Sequence, residues 1–268
     1  MRLTVLVDNM TFIDMYYLGE PALSFYIEDE DEKILFDTGY SDIFLRNAEK
    51  MGIDLREVDT IVLSHGHNDH TGGLRFLPAC VNGRRILAHP DTFLYREDDE
   101  GLPIGSFLKQ DEVSKKGIID YKKEPVKLSK RLYYLGQIEE HFDFERRRPI
   151  GKKICLGRSV EDMIFDDSAL AYKSKEGLFI ITGCSHSGIC NIVHQAKRIC
   201  EEDRILGVIG GFHLFENDDR LRKTISYLKE NNIRMLYPCH CVSLEAKIAI
   251  AKEMRIEEVG VGLKLEID

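Results

Sequence analysis

Nowhere in the 268 residues does an uninterrupted apolar run reach the length that spans a bilayer, which argues against a transmembrane helix. The first ten residues, MRLTVLVDNM, lack the successive regions of a secretory signal and lead straight into a strand pattern, so a cytoplasmic protein is expected. Basic residues are not in excess. Lys and Arg total 37 against 46 Asp and Glu, and the formal net charge of −9 argues against a general nucleic-acid or membrane-surface binder. A local basic patch is still allowed. The cysteines (Cys80, Cys155, Cys184, Cys190, Cys200, Cys239 and Cys241) are odd in number and show no framework spacing, which suits a reducing compartment. No Ser-, Gly- or Pro-rich linker interrupts the chain, so one domain over residues 1–268 is expected. Tryptophan is absent, and that excludes nothing. A chain that is 43% hydrophobic and 31% charged is globular with a sizeable core.

What is present is concentrated in Ile61–Gly73, IVLSHGHNDHTGG. Ile61, Val62 and Leu63 read as a short buried strand. The chain then breaks into Ser64-His65-Gly66-His67-Asn68-Asp69-His70-Thr71-Gly72-Gly73, with four metal-ligand side chains in six positions. Imidazole and carboxylate are ligand types that zinc, iron and manganese accept. Side chains two apart on an extended segment share a side, so His65 and His67 can grip one ion. Asp69 and His70 can face a second.

Three later segments repeat the theme of an apolar strand, a turn and a histidine. Leu178–Gly183 leads to Cys184-Ser185-His186, Ile205–Gly211 to Phe212-His213, and Ile233–Pro238 to Cys239-His240-Cys241. His186 and His240 are ligand candidates, while His213 is balanced between the site and packing. Strand–helix alternation brings such carboxyl ends to one sheet edge. Helices are expected at 42–51, 188–202, 220–231 and 243–254, an acidic turn passing into a strand over 161–172, and a final strand over 258–267. Residues 10–20 read either as a loop lining a substrate mouth or as packing under the sheet. His89, before Pro90, and His194 read as structural. Five of the eight residues from Arg146 to Lys153 are basic. Arg146, Arg147 and Arg148 suit a phosphate or carboxylate clamp, since guanidinium forks match those anions. A solvated charged turn is the alternative.

The stretch Ser64–Gly73 resembles the HxHxDH signature of the metallo-β-lactamase superfamily. That resemblance implies an α/β fold, the metallo-β-lactamase-like four-layer αββα sandwich, with a metal site that is often dinuclear. Asp37-Thr38-Gly39 likewise resembles the superfamily's first motif, whose Asp supports the metal loop; as bare sequence, Asp37 reads at least as well as a helix cap. The resemblance implies a helix starting at Leu74 and a lid insertion at about 91–153, from which His141 hangs into the site or else sits on the surface. It assigns one ion to His65, His67 and His186 and the other to Asp69, His70 and His240. Two divalent ions are thus expected, zinc first, with manganese or iron as alternatives. The pattern departs in one respect. Many members carry a bridging Asp after Thr-Gly, and here Cys184 follows Thr182-Gly183. Cys184 could be a soft ligand or a packing residue, and Asp166 or Asp167 could approach the metals instead. Asp166–Leu170, Thr182–His186, Gly210–His213 and Pro238–Cys241 together look like the branch that includes 7,8-dihydropterin-6-ylmethyl-4-(β-D-ribofuranosyl)aminobenzene 5′-phosphate synthase.

The first function expected is a metal-dependent hydrolase, in which activated water attacks an ester, lactone or phosphoester. Asp69 would be both ligand and proton acceptor, and His213 a proton donor or substrate contact. The second is a transferase like that synthase, releasing diphosphate, and the third a non-catalytic metal or redox module. The expected partner is a small anionic substrate, with neither nucleic acid nor membrane. A homo-oligomer is left open.

Overall fold

The structure, a computed structural model, describes residues 1–77 and 83–268. Cys80 lies outside the described residues. The chain divides into two compact units. The first holds Met1–Lys123, Arg148–Asp166 and Gly260–Glu266; the second holds Glu124–Arg147, Asp167–Val259 and Ile267–Asp268. The stretch expected to form a lid, 91–153, is shared between them: 124–147 lies in the second unit and the rest in the first.

The first unit is built on a seven-stranded sheet. Its strands run in the order Lys264–Glu266, Arg2–Val7, Ser24–Asp29, Glu32–Phe36, Thr60–Val62, Arg84–Ala88 and Gly117–Tyr121. Pairing is antiparallel up to Glu32–Phe36 and parallel beyond it. The parallel strands therefore end at one edge, where Asp37, Ser64-His65 and His89 emerge. Thr60–Val62 is wholly buried, as a parallel strand covered on both faces should be. The helix Ile43–Lys50 supplies Phe44 and Ala48 to a core with Leu6, Leu35, Ile61 and Ile86. A small sheet of Arg158–Glu161, Lys152–Cys155 and Arg96–Glu97 completes the unit.

The second unit follows the same logic with six strands, in the order Met235–Pro238, Ile205–Gly210, Gly177–Thr182, Ala169–Ser174, Leu132–Tyr134 and Val126–Lys127. The first three are mutually parallel. Their carboxyl ends deliver His240, His213 and His186 to one edge of this sheet, which is where open α/β sheets place ligands. The helices Ile189–Cys200 and Asp219–Glu230 form where apolar residues recur at helical spacing. Leu221, Ile225 and Leu228 of the latter are buried, and the Asp218 carboxylate caps it by accepting from the Leu221 N–H at 2.9 Å. The helix Leu244–Glu253 is capped in the same way by Ser243.

The structure sets three element boundaries. The helix read from Leu74 onward is a short helix, Asn68–Thr71, running into a 3-10 turn over Gly72–Phe76. The strand that follows the acidic turn begins at Ala169, after Ile164 takes a left-handed φ of 48° and the side chains of Asp166 and Asp167 bond elsewhere. The last strand shrinks to Lys264–Glu266, since Gly262 at φ 95° breaks the extended run. In the 10–20 loop Ile13 is 92% and Tyr16 80% exposed, so neither packs under the sheet. Among the described residues no helix is long and apolar enough to cross a membrane, and no cysteine forms a disulfide.

Candidate metal centre

In the first unit the site is organised by the buried carboxylate of Asp37, in the left-handed region at φ 57°. Asp37 Oδ1 accepts from the Ser64 N–H at 2.7 Å. Its Oδ2 accepts from Ser64 Oγ at 2.7 Å and lies 2.7 Å from His70 Nδ1. The Ser64 hydroxyl has one proton, given to Asp37, so its oxygen can only accept from His65 Nδ1, 2.9 Å away. His65 and His70 both then carry their proton on Nδ1, and each presents its Nε2 lone pair. Carboxylate support of this kind orients metal-binding histidines. The helix beginning at Ile43 has Asp42 at its N-cap position. Asp37 is therefore the support of the Ser64–His70 loop and not a helix cap.

His65 Nε2 lies 3.0 Å from His67 Nδ1, and the His65 and His70 rings are 4.2 Å apart. Two nitrogens on a tetrahedral ion at zinc distances stand roughly 3.3 Å apart, so this pair has the spacing of co-ligands. Burial, then the charge of Arg96, pushes the His67 imidazole down to about 3, so it is neutral near pH 7. A neutral ring is what metal binding needs. Asp69 Oδ2 is 3.6 Å from His70 Nε2. Gly66, between His65 and His67, has no room for a side chain: a Cβ there would sit 2.1 Å from the Thr92 carbonyl oxygen. Gly66→Ala should destabilise the fold by about 1–3 kcal/mol and lower metal content, measurable by denaturant titration and elemental analysis.

In the second unit, Ser185, His213 and His240 all take left-handed φ values, 61°, 48° and 53°. Non-glycine residues held there cluster at functional sites. Ser185 Oγ donates to the Gly211 carbonyl at 2.6 Å and accepts from Thr182 Oγ1 at 2.9 Å, tying the Cys184–His186 turn to the Gly211–His213 turn. The His186 and His213 rings meet edge to face at 4.4 Å, which places His213 beside a ligand candidate. Burial, then Arg220 and His240, pushes the His213 imidazole down to about 4. The Ser187 N–H and hydroxyl both donate to Asp167 Oδ2, the N–H at 2.9 Å.

Other candidates fall elsewhere. His89 Nδ1 accepts from the Asp91 N–H at 3.0 Å, as its structural reading requires. His141 stacks on His194 at 3.8 Å between centroids. Arg146 is exposed and pairs with Asp143 at 3.1 Å, whereas Arg147 is buried and donates to the Ile138 carbonyl at 2.8 Å. Arg148 belongs to the first unit and the other two to the second. Ser64 and Arg96 were missed by sequence reasoning. Nothing in Leu94-Tyr95-Arg96-Glu97-Asp98 marks Arg96 as buried, and only its place before the motif hints at Ser64.

The sequence profile described as the metallo-beta-lactamase superfamily matches residues 18–138. A relative from Methanocaldococcus jannaschii, named 7,8-dihydropterin-6-methyl-4-(beta-D-ribofuranosyl)-aminobenzene-5'-phosphate synthase, is 32% identical over 95% of this chain and 92% of its own length. The chain belongs to the metallo-β-lactamase superfamily. A crystal structure described as a metal-dependent hydrolase of the beta-lactamase superfamily superposes with a TM-score of 0.86 at 32% identity, covering 99% of this chain and 98% of that one. Zn(2+)-bound PqqB from Methylobacterium extorquens, 13% identical with a TM-score of 0.56 over 99% of this chain and 100% of its own, shares the superfamily fold. The α/β fold expected from the motif is thus the metallo-β-lactamase fold. The chain carries His, Asp and Cys side chains of the kinds that hold a metal ion in this superfamily: His65, His67, Asp69 and His70 in the first unit, and Cys184, His186 and His240 in the second.

Proposed function

We propose that this protein is a metal-dependent hydrolase acting on a small anionic substrate, with two divalent ions, zinc by the chemistry of its donors. His65, His67 and His186 hold one ion; Asp69, His70 and His240 hold the other. Cys184 stands where many superfamily members supply an aspartate, and it is the added candidate in the second set. The observation that carries this reading is the Asp37–Ser64 arrangement. It fixes the tautomers of His65 and His70 and leaves His65 Nε2 and His67 Nδ1 3.0 Å apart. Bound divalent ions would supply an activated water and charge stabilisation at an ester, lactone or phosphoester centre. Asp69 orients and accepts the proton of the attacking water, and His213, beside His186, contacts the substrate or returns the proton. The test is elemental analysis of gently purified protein beside His186→Ala and His240→Ala. Two ions per chain, one lost in each variant, is the expected result. A wild-type protein without stoichiometric metal would end the reading.

A second reading, transfer without hydrolysis, is favoured by the name of the 32%-identical relative. Here a carbon nucleophile or amine attacks the methylene of a dihydropterin diphosphate, the diphosphate leaves, and the exposed Arg146 or Arg148, not the buried Arg147, holds the other substrate's phosphate. Diphosphate that forms only when both substrates are present would establish transfer. Release from the pterin diphosphate alone would establish hydrolysis.

A further inference from the structure

Arg96, Asp162 and Asp166 are all fully buried in the first unit, a costly arrangement for three charged side chains. Arg96 Nη2 is 2.7 Å from Asp166 Oδ1 and donates to the Asp91 carbonyl at 3.0 Å. Arg96 Nε faces Asp162 Oδ2 at 3.3 Å. Lys153 Nζ joins the group, 2.7 Å from Asp91 Oδ2 and 3.6 Å from Asp162 Oδ1. The cluster ends on the metal loop: Asp166 Oδ2 accepts from the Gly66 N–H at 2.7 Å, across 100 residues of sequence.

Two features set this cluster apart from a device for stability alone. Arg96 Nη1 is buried with no hydrogen-bond partner among the described residues, and Asp162 Oδ2 forms an ion pair without hydrogen-bond geometry. A buried ion network that leaves polar atoms unmatched is a poor route to stability, because apolar residues of similar volume do as well or better. The contact it does satisfy is a specific one. Gly66 has no side chain, and its peptide N–H is the handle by which the segment between His65 and His67 can be oriented. Burial would raise the Asp166 carboxyl, but the charge of Arg96, 2.7 Å away, more than offsets it and holds the group below the usual carboxylate range. The acceptor on Gly66 is therefore an ionised one, and hydrogen bonds to charged groups are the strong ones. Both Asp166 oxygens are engaged by protein groups, so Asp166 supports the ligand loop in place of approaching a metal itself.

We propose that Asp166, clamped by Arg96, is a positioning residue that fixes the Gly66 peptide and thereby the spacing of His65 and His67 as co-ligands. This rests on the reading that those two histidines share an ion, and it assigns a role to residues outside the motif. The experiment is cobalt(II) titration followed by visible absorption, with [15N]glycine-labelled metal-free protein observed in parallel. Asp166→Asn should bind cobalt about 10–100-fold more weakly with an altered spectrum, the cost usual for groups that orient metal ligands. Its Gly66 amide proton should move upfield. Arg96→Lys, which keeps the charge and loses the fork, should fall between Asp166→Asn and wild type. Asp162→Asn cuts the same cluster at the end remote from Gly66, so it should lower the melting temperature and leave cobalt affinity and spectrum unchanged. Wild-type cobalt binding by Asp166→Asn would overturn the proposal, as would an equal loss in Asp162→Asn. If Asp166→Asn does not fold, an Arg96→Lys protein with unchanged Gly66 resonance and cobalt spectrum overturns it. Failure of the wild type to bind cobalt would count against the metal reading instead, and the Gly66 resonance would still report on the strut.

Discussion

His67→Ala should lose the ion held with His65 and, with it, activity by about three orders of magnitude or more, a larger loss than that of a single transition-state hydrogen-bond donor. His67 is nearly buried, and its Nδ1 faces His65 Nε2 at 3.0 Å. Alanine leaves one nitrogen of that pair, and a single imidazole cannot hold the ion at the same affinity. The fold should survive, because the backbone bonds of His67 persist. Its carbonyl accepts from the Thr71 N–H at 3.0 Å and from Thr71 Oγ1 at 2.9 Å, and both bonds remain with alanine. The measurements are metal content and turnover, with far-ultraviolet circular dichroism as the control for folding. Full turnover by a folded, metal-free His67→Ala protein would sink the hydrolase reading.

Asp37→Ala should be the most destabilising single change at the site. It strands three donors in a fully buried place: the Ser64 N–H, the Ser64 hydroxyl and His70 Nδ1. Unsatisfied buried donors cost about 1–3 kcal/mol each and do not add fully, so a loss on the order of 3–5 kcal/mol is expected. For a chain of this size that lowers the melting temperature by roughly 8–15 °C. Asp37→Asn separates stability from site geometry. Asparagine tolerates the left-handed φ of 57°. It has one carbonyl oxygen where the carboxylate had two, so its amide NH2 faces a donor. The simplest relief is for His70 to move its proton to Nε2, which removes the lone pair meant for the metal. Asp37→Asn should therefore fold with a milder loss of stability and bind metal about 10–100-fold more weakly, readable by calorimetric titration. Unchanged metal affinity in a folded Asp37→Asn protein would show that the carboxylate supports the fold alone.

Much of this site was open to inspection in thirteen residues. Ile61–Leu63 reads as a buried strand, and an apolar run of that length has few other places to go. His65, His67, Asp69 and His70 follow it at a spacing that metal chemistry explains. The same rule of strand, turn and histidine picked out His186, His213 and His240. The strands Gly177–Thr182, Ile205–Gly210 and Met235–Pro238 are parallel, so the carboxyl ends that carry these histidines share one edge. Pattern and local spacing determine these features, and both are properties of neighbouring residues.

The tertiary structure decided which distant carboxylates serve the motif. Among 46 acidic residues, nothing in sequence separates Asp37 as a three-bond acceptor from a helix cap, nor Asp166 as the acceptor on Gly66 from a further metal ligand. It likewise buried Arg96 and Arg147 while leaving Arg146 exposed, within stretches of uniformly charged appearance. The reason is physical. A strand or helix announces itself through periodic burial, which neighbouring residues record. A buried ion pair or a carboxylate on a remote amide depends on which loops meet once the sheets have formed, and a single charged residue carries no record of that meeting.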